Sequence, residues 1–254
     1  MLVGIDHLVI ACAELDAAAA ELRERLGLEA TGGGRHEALG TENRLVWLGD
    51  GYLELIAPFD AGRAAGSWIG GPVLACLQRG GGLATFALAS DGIAADVGRL
   101  RAGGSQIGEP VPGERRRPDG AVVRWRLALP PALGPDQPPF LIEHEPGGPE
   151  WDATSRAARA AQLHLFGGQA RLRRVELAVD EVDAAAQRYG STLGIVFGPP
   201  GSSLVEAPVG DQVIRLLPSG HDRPAAGIVI AVSSGRPRRE DLLGCRFSLE
   251  LAEP

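Results

Sequence analysis

The stretch Gly4-Ile5-Asp6-His7-Leu8-Val9-Ile10-Ala11, followed by Leu15-Asp16-Ala17-Ala18-Ala19 and closed by Leu26-Gly27, decides the fold because it returns later in the chain. The strand-like run Leu172-Arg173-Arg174-Val175-Glu176-Leu177-Ala178-Val179 leads into Val182-Asp183-Ala184-Ala185-Ala186 and Leu193-Gly194, the helix and its terminator lying 167 positions on. Self-similarity at a fixed offset marks a repeated structural unit. In the first copy an apolar strand runs into a helix whose apolar positions recur at Leu15, Ala19, Leu22 and Leu26, and a glycine follows where a left-handed cap belongs. A weaker copy lies between the two. Gly82-Leu83-Ala84-Thr85-Phe86-Ala87-Leu88 reads as a strand, and Ile93, Val97 and Leu100 repeat the helix spacing 78 positions after Leu15, Ala19 and Leu22.

Short strand-like runs follow each helix, at 43–48 and 52–57, 122–129 and 140–145, and 203–208 and 213–217, separated by Gly, Pro and Asp turns. Asp50-Gly51 is a strong hairpin signal. The unit is therefore β-α-β-β-β, used at 3–58, 82–146 and 171–218. A remnant, with strands at 228–232 and 245–251 around a short helix expected at 238–243, reads as a truncated fourth copy. One such unit covers one face of its sheet with its own helix and leaves the other open, so units must pair. The expected class is α+β, built of paired βαβββ modules with a second, degenerate pair. Residues 1–146 form two modules, 147–168 a linker with a helix in its Ala- and Arg-rich part, and 169–254 the degenerate third module plus the truncated fourth.

Composition narrows the class further. Of 254 residues 44% are apolar and 22% charged, and no apolar run approaches the ~18 to 20 residues of a membrane span, which points to a soluble globular chain without a membrane partner. The net charge of −7 argues against a nucleic-acid partner, whose binding draws on clustered cations. There is no lysine, which excludes Schiff-base and Walker-type lysine chemistry. The obvious basic run, Arg115-Arg116-Arg117, lies in a Pro and Gly loop and reads as a solvated hairpin tip. Three widely spaced cysteines with no CxxC suggest neither a disulfide framework nor a thiolate zinc site, and the start enters a strand with no leader pattern, so a cytoplasmic location is expected.

Three strands carry residues that a purely structural role explains poorly. Regular alternation puts His7 on one face with Ile5, Val9 and Ala11, and puts Asp6, Leu8 and Ile10 on the helix side. Glu54, in Gly51-Tyr52-Leu53-Glu54-Leu55-Ile56, is flanked by apolar residues, and burying its charge without a partner costs several kcal/mol. Its counterpart is Glu143 in Pro139-Phe140-Leu141-Ile142-Glu143-His144. Two carboxylates and a histidine on matching strands of paired units can converge on one cation.

These stretches, with Leu26-Gly27-Leu28, Arg35-His36 and Gly40-Thr41-x-Asn43-Arg44-Leu45, resemble the vicinal oxygen chelate superfamily, and within it the glyoxalase / bleomycin resistance / dioxygenase group. The resemblance implies a cleft built of paired modules around a divalent metal, with ligands on the first and last strands of each module. His7 and Glu54 fill both places in the first module and Glu143 the last-strand place in the second. Thr85 takes the remaining place and is a poor ligand, leaving three protein ligands with water, or His36 as a fourth. One histidine and two carboxylates is not the set of the non-haem iron oxygenases, which disfavours a dioxygenase. Arg35, Asn43 and Arg44 are expected to orient substrate at the cleft mouth, and Trp125 to give it an aromatic wall. In the third module Arg174 and Arg215 stand at the corresponding places, so that half is expected to be structural, to mediate a homodimer, or to grip an anion.

Two functions follow. In one, a divalent metal (Zn, Ni, Mn, Mg or Fe) on His7, Glu54 and Glu143 polarises adjacent oxygens of a small organic molecule, and Glu143 or His36 moves the proton, as in a lyase or isomerase. In the other, a metal-free protein of the bleomycin-resistance type binds or sequesters a small molecule, and Glu54 is neutralised by a fixed partner such as His7 or an arginine.

Overall fold

The repeated helix is reproduced in every boundary by the computed structural model, which describes residues 1–220 and 224–252. Helix α1 (Leu15–Leu26) starts after an extended Glu14 and stops at Gly27 with φ 71°, while a later helix, Val182–Leu193, starts after an extended Glu181 and stops at Gly194 with φ 67°. Both caps need left-handed backbone, which glycine adopts without a Cβ penalty.

The first module is strand β1 (Leu2–Ala11), α1, β2 (Thr31–His36), β3 (Thr41–Leu48) and β4 (Gly51–Pro58). Two short helices, α2 (Ala61–Ala65) and α3 (Gly70–Leu77), lead to the second module: β5 (Gly82–Ser90), α4 (Ile93–Ala102), β6 (Val111–Arg116), β7 (Val122–Ala128) and β8 (Phe140–His144). The two open sheets close on one another as a barrel in the order β1-β4-β3-β2-β6-β7-β8-β5. Antiparallel β1 and β5 form one seam, and the other is a single pairing of Arg35 with Arg116. Closure removes both sheet edges and encloses the face that each module leaves bare.

Helix α5 (Ala153–Ala160) then leads to β9 (Ala170–Val179), α6 (the Val182–Leu193 helix above), β10 (Val205–Val209) and β11 (Gln212–Pro218), followed by β12 (Ala226–Val232), β13 (Arg238–Leu242) and β14 (Cys245–Leu251). These strands form an open six-stranded sheet, β10-β11-β9-β12-β14-β13. The helix expected at 238–243 is strand β13 instead. Leu243 (φ 47°) and Gly244 (φ 67°) make a tight turn of the kind that suits a hairpin, which pairs β13 antiparallel to β14, and Arg246 clamps Asp241 across the pair.

One continuous apolar cluster joins the outer face of the barrel to the second half. Leu8, Ile10, Leu53 and Phe86 pack with the buried sides of α1, α4 and α6 and with Val175, Leu177 and Phe247. Val9, Ala11, Ile56, Phe140 and Ile142 belong to a separate cluster on the inner face, packed against Ile69, Val73 and Cys76 of the α2–α3 segment. Ile5 falls in the outer cluster, not beside His7 as alternation predicts. In the second half Arg174 and Arg215 both bond Glu176, at 2.9 and 2.8 Å, and Arg215 also pairs with Glu206. Their charges are met within the sheet by Glu176 and Glu206.

Candidate active site

The first strand carries the decisive irregularity. Ile5 pairs with Leu88 and His7 with Ala87, so Asp6 is an extra residue in β1, a β-bulge. A bulge re-aims side chains and recurs beside active sites. Here it brings Asp6 beside His7 and buries both; His7 lines the cavity inside the barrel, whereas Asp6 borders a second cavity next to it. Asp6 Oδ1 meets His7 Nδ1 at 2.6 Å and His144 Nε2 at 3.2 Å. Burial pushes the Asp6 carboxyl up, but the His144 and His7 rings outweigh it and hold the group well below the usual carboxylate range.

The cavity inside the barrel measures about 40 Å³, several times the ~10 to 15 Å³ that a single water needs. Glu54 reaches it from β4 and is 7% exposed. Asn43 Nδ2 donates to Glu54 Oε1 at 2.6 Å, and the imidazole Nε2 atoms of His7 and His36 lie 3.6 and 3.8 Å from its two oxygens. His36 Nδ1 is 3.0 Å from Thr41 Oγ1. Burial pushes His36 down to about 4, with Arg115 and His7 adding to the effect and Glu54 opposing it, so His36 is neutral near pH 7. Burial likewise raises the Tyr52 phenol well above its ordinary value, and the carboxyl groups of Asp6 and Glu54 add to this.

The walls are largely aromatic. His7 stacks on Tyr52 with centroids 4.6 Å apart, and His144 on Trp151 at 3.6 Å. Trp125 stands edge-on to His36 and faces Gly113 on β6, where a Cβ would lie 2.3 Å from the indole Nε1. Glycine at 113 is thus a condition for Trp125 to occupy the wall. Trp151 belongs to the segment before α5, and Arg159 of that helix lies 4.3 Å over Trp47 and 4.7 Å over Trp151, which holds the segment against the barrel.

His7, His36, Asn43, Glu54 and Trp125 therefore meet at one cavity. Three other residues read from the sequence do not. Glu143 alternates with Phe140, Ile142 and His144 along β8 and does not line this cavity; it borders a second one of about 480 Å³, which shares Ile142, His144 and Trp151 with the first and is also lined by Asp6 and by Gln212 of β11. Arg35 pairs with Glu42 at 3.0 Å, and Arg44 with Asp16 at 3.0 Å, both on the outside of the barrel. The metal set of His7, Glu54 and Glu143 does not converge, because alternation along β8 points Glu143 out whenever Ile142 points in. Thr85 is fully buried with a hydroxyl that has no hydrogen-bond partner among the described residues. Among the described residues no three His, Cys, Asp or Glu side chains are grouped to hold one ion. The set His7, Glu54 and Glu143 that the resemblance implies is thus not assembled around one point.

Sequence reasoning passed over Asp6, His144 and Arg115. His144 was legible, since it continues the inward series Phe140, Ile142. Arg115 is not a solvated tip: its side chain is 5% exposed, and its Nη2 bonds Glu150 Oε2 at 2.6 Å inside the barrel.

Residues 5–193 match the family model described as a glyoxalase-like domain. No curated protein matches the chain. Among solved structures, a hypothetical protein from Staphylococcus aureus aligns over 98% of this chain and 99% of its own at 16% identity with a TM-score of 0.79, showing the same fold across both halves. Methylmalonyl-CoA epimerase from Mycobacterium tuberculosis aligns over 57% of this chain and 90% of its own, at 24% identity and a TM-score of 0.43. The Streptomyces coelicolor methylmalonyl-CoA epimerase in complex with 2-nitronate-propionyl-CoA aligns over 56% and 98%, at 24% identity and 0.42.

Proposed function

Because the chain belongs to the glyoxalase-like domain family, we propose that it is an enzyme acting on a small oxygen-bearing organic molecule inside the barrel, where it moves a proton at the carbon next to a carbonyl group. The observation that carries this reading is the hydrogen bond from His7 Nδ1 to Asp6, which leaves Nε2 beside Glu54 at the cavity wall. An imidazole fixed through one nitrogen by a carboxylate presents the other as a proton carrier.

In the proposed step His7 Nε2 takes the C–H proton. The electron pair of that bond becomes a C=C bond, and the carbonyl oxygen takes the charge as an enolate. Return of the proton to the same carbon gives an epimerised product; where that carbon bears a hydroxyl, passage of the hydroxyl proton to the enolate oxygen and return of the carbon proton to the former carbonyl carbon gives the isomer, with no net redox change in either case. Neutral His36 contributes a hydrogen-bonding edge without adding charge. No step runs through a divalent ion, since the donors read for one do not meet. Three buried cysteines, all free, are consistent with action in a reducing cytoplasm.

The test is proton exchange in D2O. With small hydroxyketones such as hydroxyacetone, the protein should accelerate loss of the signal of the CH2 protons beside the carbonyl, and His7→Ala should slow it by about 10² or more, the usual contribution of a positioned acid–base group. Exchange that is unaffected by His7→Ala would overturn the reading. Binding without exchange would favour the metal-free binding protein, which the Asn43–Glu54 bond also suits.

A further inference from the structure

Three side chains that line the cavity carry a polar atom without a protein partner. Arg115 Nη1, Asn43 Oδ1 and His144 Nδ1 are buried and have no hydrogen-bond partner among the described residues. Each belongs to a side chain that engages a neighbour through another polar atom. Arg115 Nη2 donates to Glu150, Asn43 Nδ2 donates to Glu54, and His144 Nε2 faces Asp6. The amide of Asn43 is oriented by the Glu54 carboxyl, so its free atom is the oxygen, an acceptor. An unpaired buried donor or acceptor carries a desolvation cost that a matching ligand atom relieves.

The charges decide what kind of ligand that is. Arg115 is the guanidinium on the cavity wall, and Glu150, 12% exposed, sits on it at 2.6 Å; Arg117, already paired with Asp119 at 2.9 Å, approaches the other Glu150 oxygen at 3.6 Å. Glu150 is brought there by the segment before α5, in a left-handed backbone conformation (φ 71°) that is uncommon for a residue with a side chain. Glu54 stands on the same wall, and the neighbouring Asp6 is already shared by His7 and His144. An anion entering this space would meet a cation that is already neutralised and further carboxyl groups, with little water to screen them.

We propose that the cavity selects an uncharged carbonyl compound over a carboxylate, the carbonyl oxygen accepting from Arg115 Nη1 and a neighbouring hydroxyl or N–H donating to Asn43 Oδ1, with Glu150 setting that selectivity by neutralising Arg115. This deepens the proton-transfer reading, resting on the same cavity. It also gives Arg115 the place of the electrophile, because a donor on the carbonyl oxygen binds more strongly as the oxygen gains charge. Glu150 touches no ligand and is a positioning residue.

The experiment compares two probes of similar size, hydroxyacetone and glycolate, by ligand-observed NMR titration of the full chain. The wild type should bind hydroxyacetone at least about tenfold more tightly than glycolate, the size of one charge-assisted hydrogen bond. Glu150→Gln, nearly isosteric, should reverse the preference by freeing the Arg115 charge, and Arg115→Gln should weaken hydroxyacetone by about tenfold. Should Glu150→Gln fail to fold, the double variant Arg115→Gln/Glu150→Gln, which removes both charges, should bind both probes weakly and equally. Equal binding of both probes by the wild type, or an unchanged preference in Glu150→Gln, would overturn the proposal. These outcomes are separate from the exchange test. Arg115-dependent binding without exchange would sink the enzyme reading alone, whereas exchange with no discrimination between the probes would sink this one alone.

Discussion

Asp6 and His7 are consecutive in the chain, yet the buried carboxyl of one is bonded to the buried imidazole of the other at 2.6 Å. In a regular strand they would face opposite sides. The bulge at Asp6 makes the contact, and through it joins His7 to His144, 137 residues further along the chain.

Asp6→Asn should keep the fold but lower proton exchange by at least about tenfold, since the amide can present the wrong atom to His7 Nδ1. Its stability cost should also depend on pH. The folded-state pKa of Asp6 lies below the unfolded value, so its contribution is present above about pH 4 and fades as pH falls below it. The melting-temperature gap between wild type and variant should therefore be widest near neutrality and close in acid. A gap that widens as the pH drops would contradict this.

His36 makes a separate acid-sensitive contribution. Its pKa falls from 6.5 in the unfolded chain to about 4 in the folded one, so the unfolded state binds more protons between those values. Stability should then be intact above pH 6.5 and decline toward pH 4, by about 3 kcal/mol as an upper bound. His36→Gln should flatten this part of the profile in urea titrations at stepped pH.

Adding Zn, Ni, Mn, Mg or Fe ions should move the melting point by no more than about 1 °C, because a ligand stabilises only in proportion to its affinity for the folded state. Glu143→Gln, on the outward face of β8, should leave hydroxyacetone exchange within about twofold of wild type. A strong metal-induced rise that is abolished by both His7→Ala and Glu143→Gln would reinstate the metal reading.

Gln212 tests the coupling of the two halves. Its side chain accepts from the Ile5 N–H and donates to the Ile5 carbonyl at 3.3 Å, gripping β1 just before the bulge. Gln212→Ala should cost about 1 to 3 kcal/mol in unfolding free energy. It should also slow exchange, although the side chain does not line the barrel cavity. Loss of stability with full activity would assign Gln212 a purely structural role.

What the sequence determined by itself is the repeat and its consequences: three strand–helix copies, the pairing of two modules, glycine caps at Gly27 and Gly194, and a buried His7 and Glu54 that a core alone does not explain. Those features rest on local periodicity and backbone preference, which act over a few residues. Tertiary structure decided the rest. An extra residue at Asp6 reverses the side-chain alternation before His7, which no pattern within β1 announces. Arg115 reads as solvent-exposed in its arginine run and is buried only because Glu150, from a segment 35 residues away, folds back to meet its charge. That His144 meets Asp6, 138 residues away in the chain, follows only from the closure of the barrel. Which polar atoms converge is set by strand register and by burial against distant segments, and these are fixed only when the whole barrel closes.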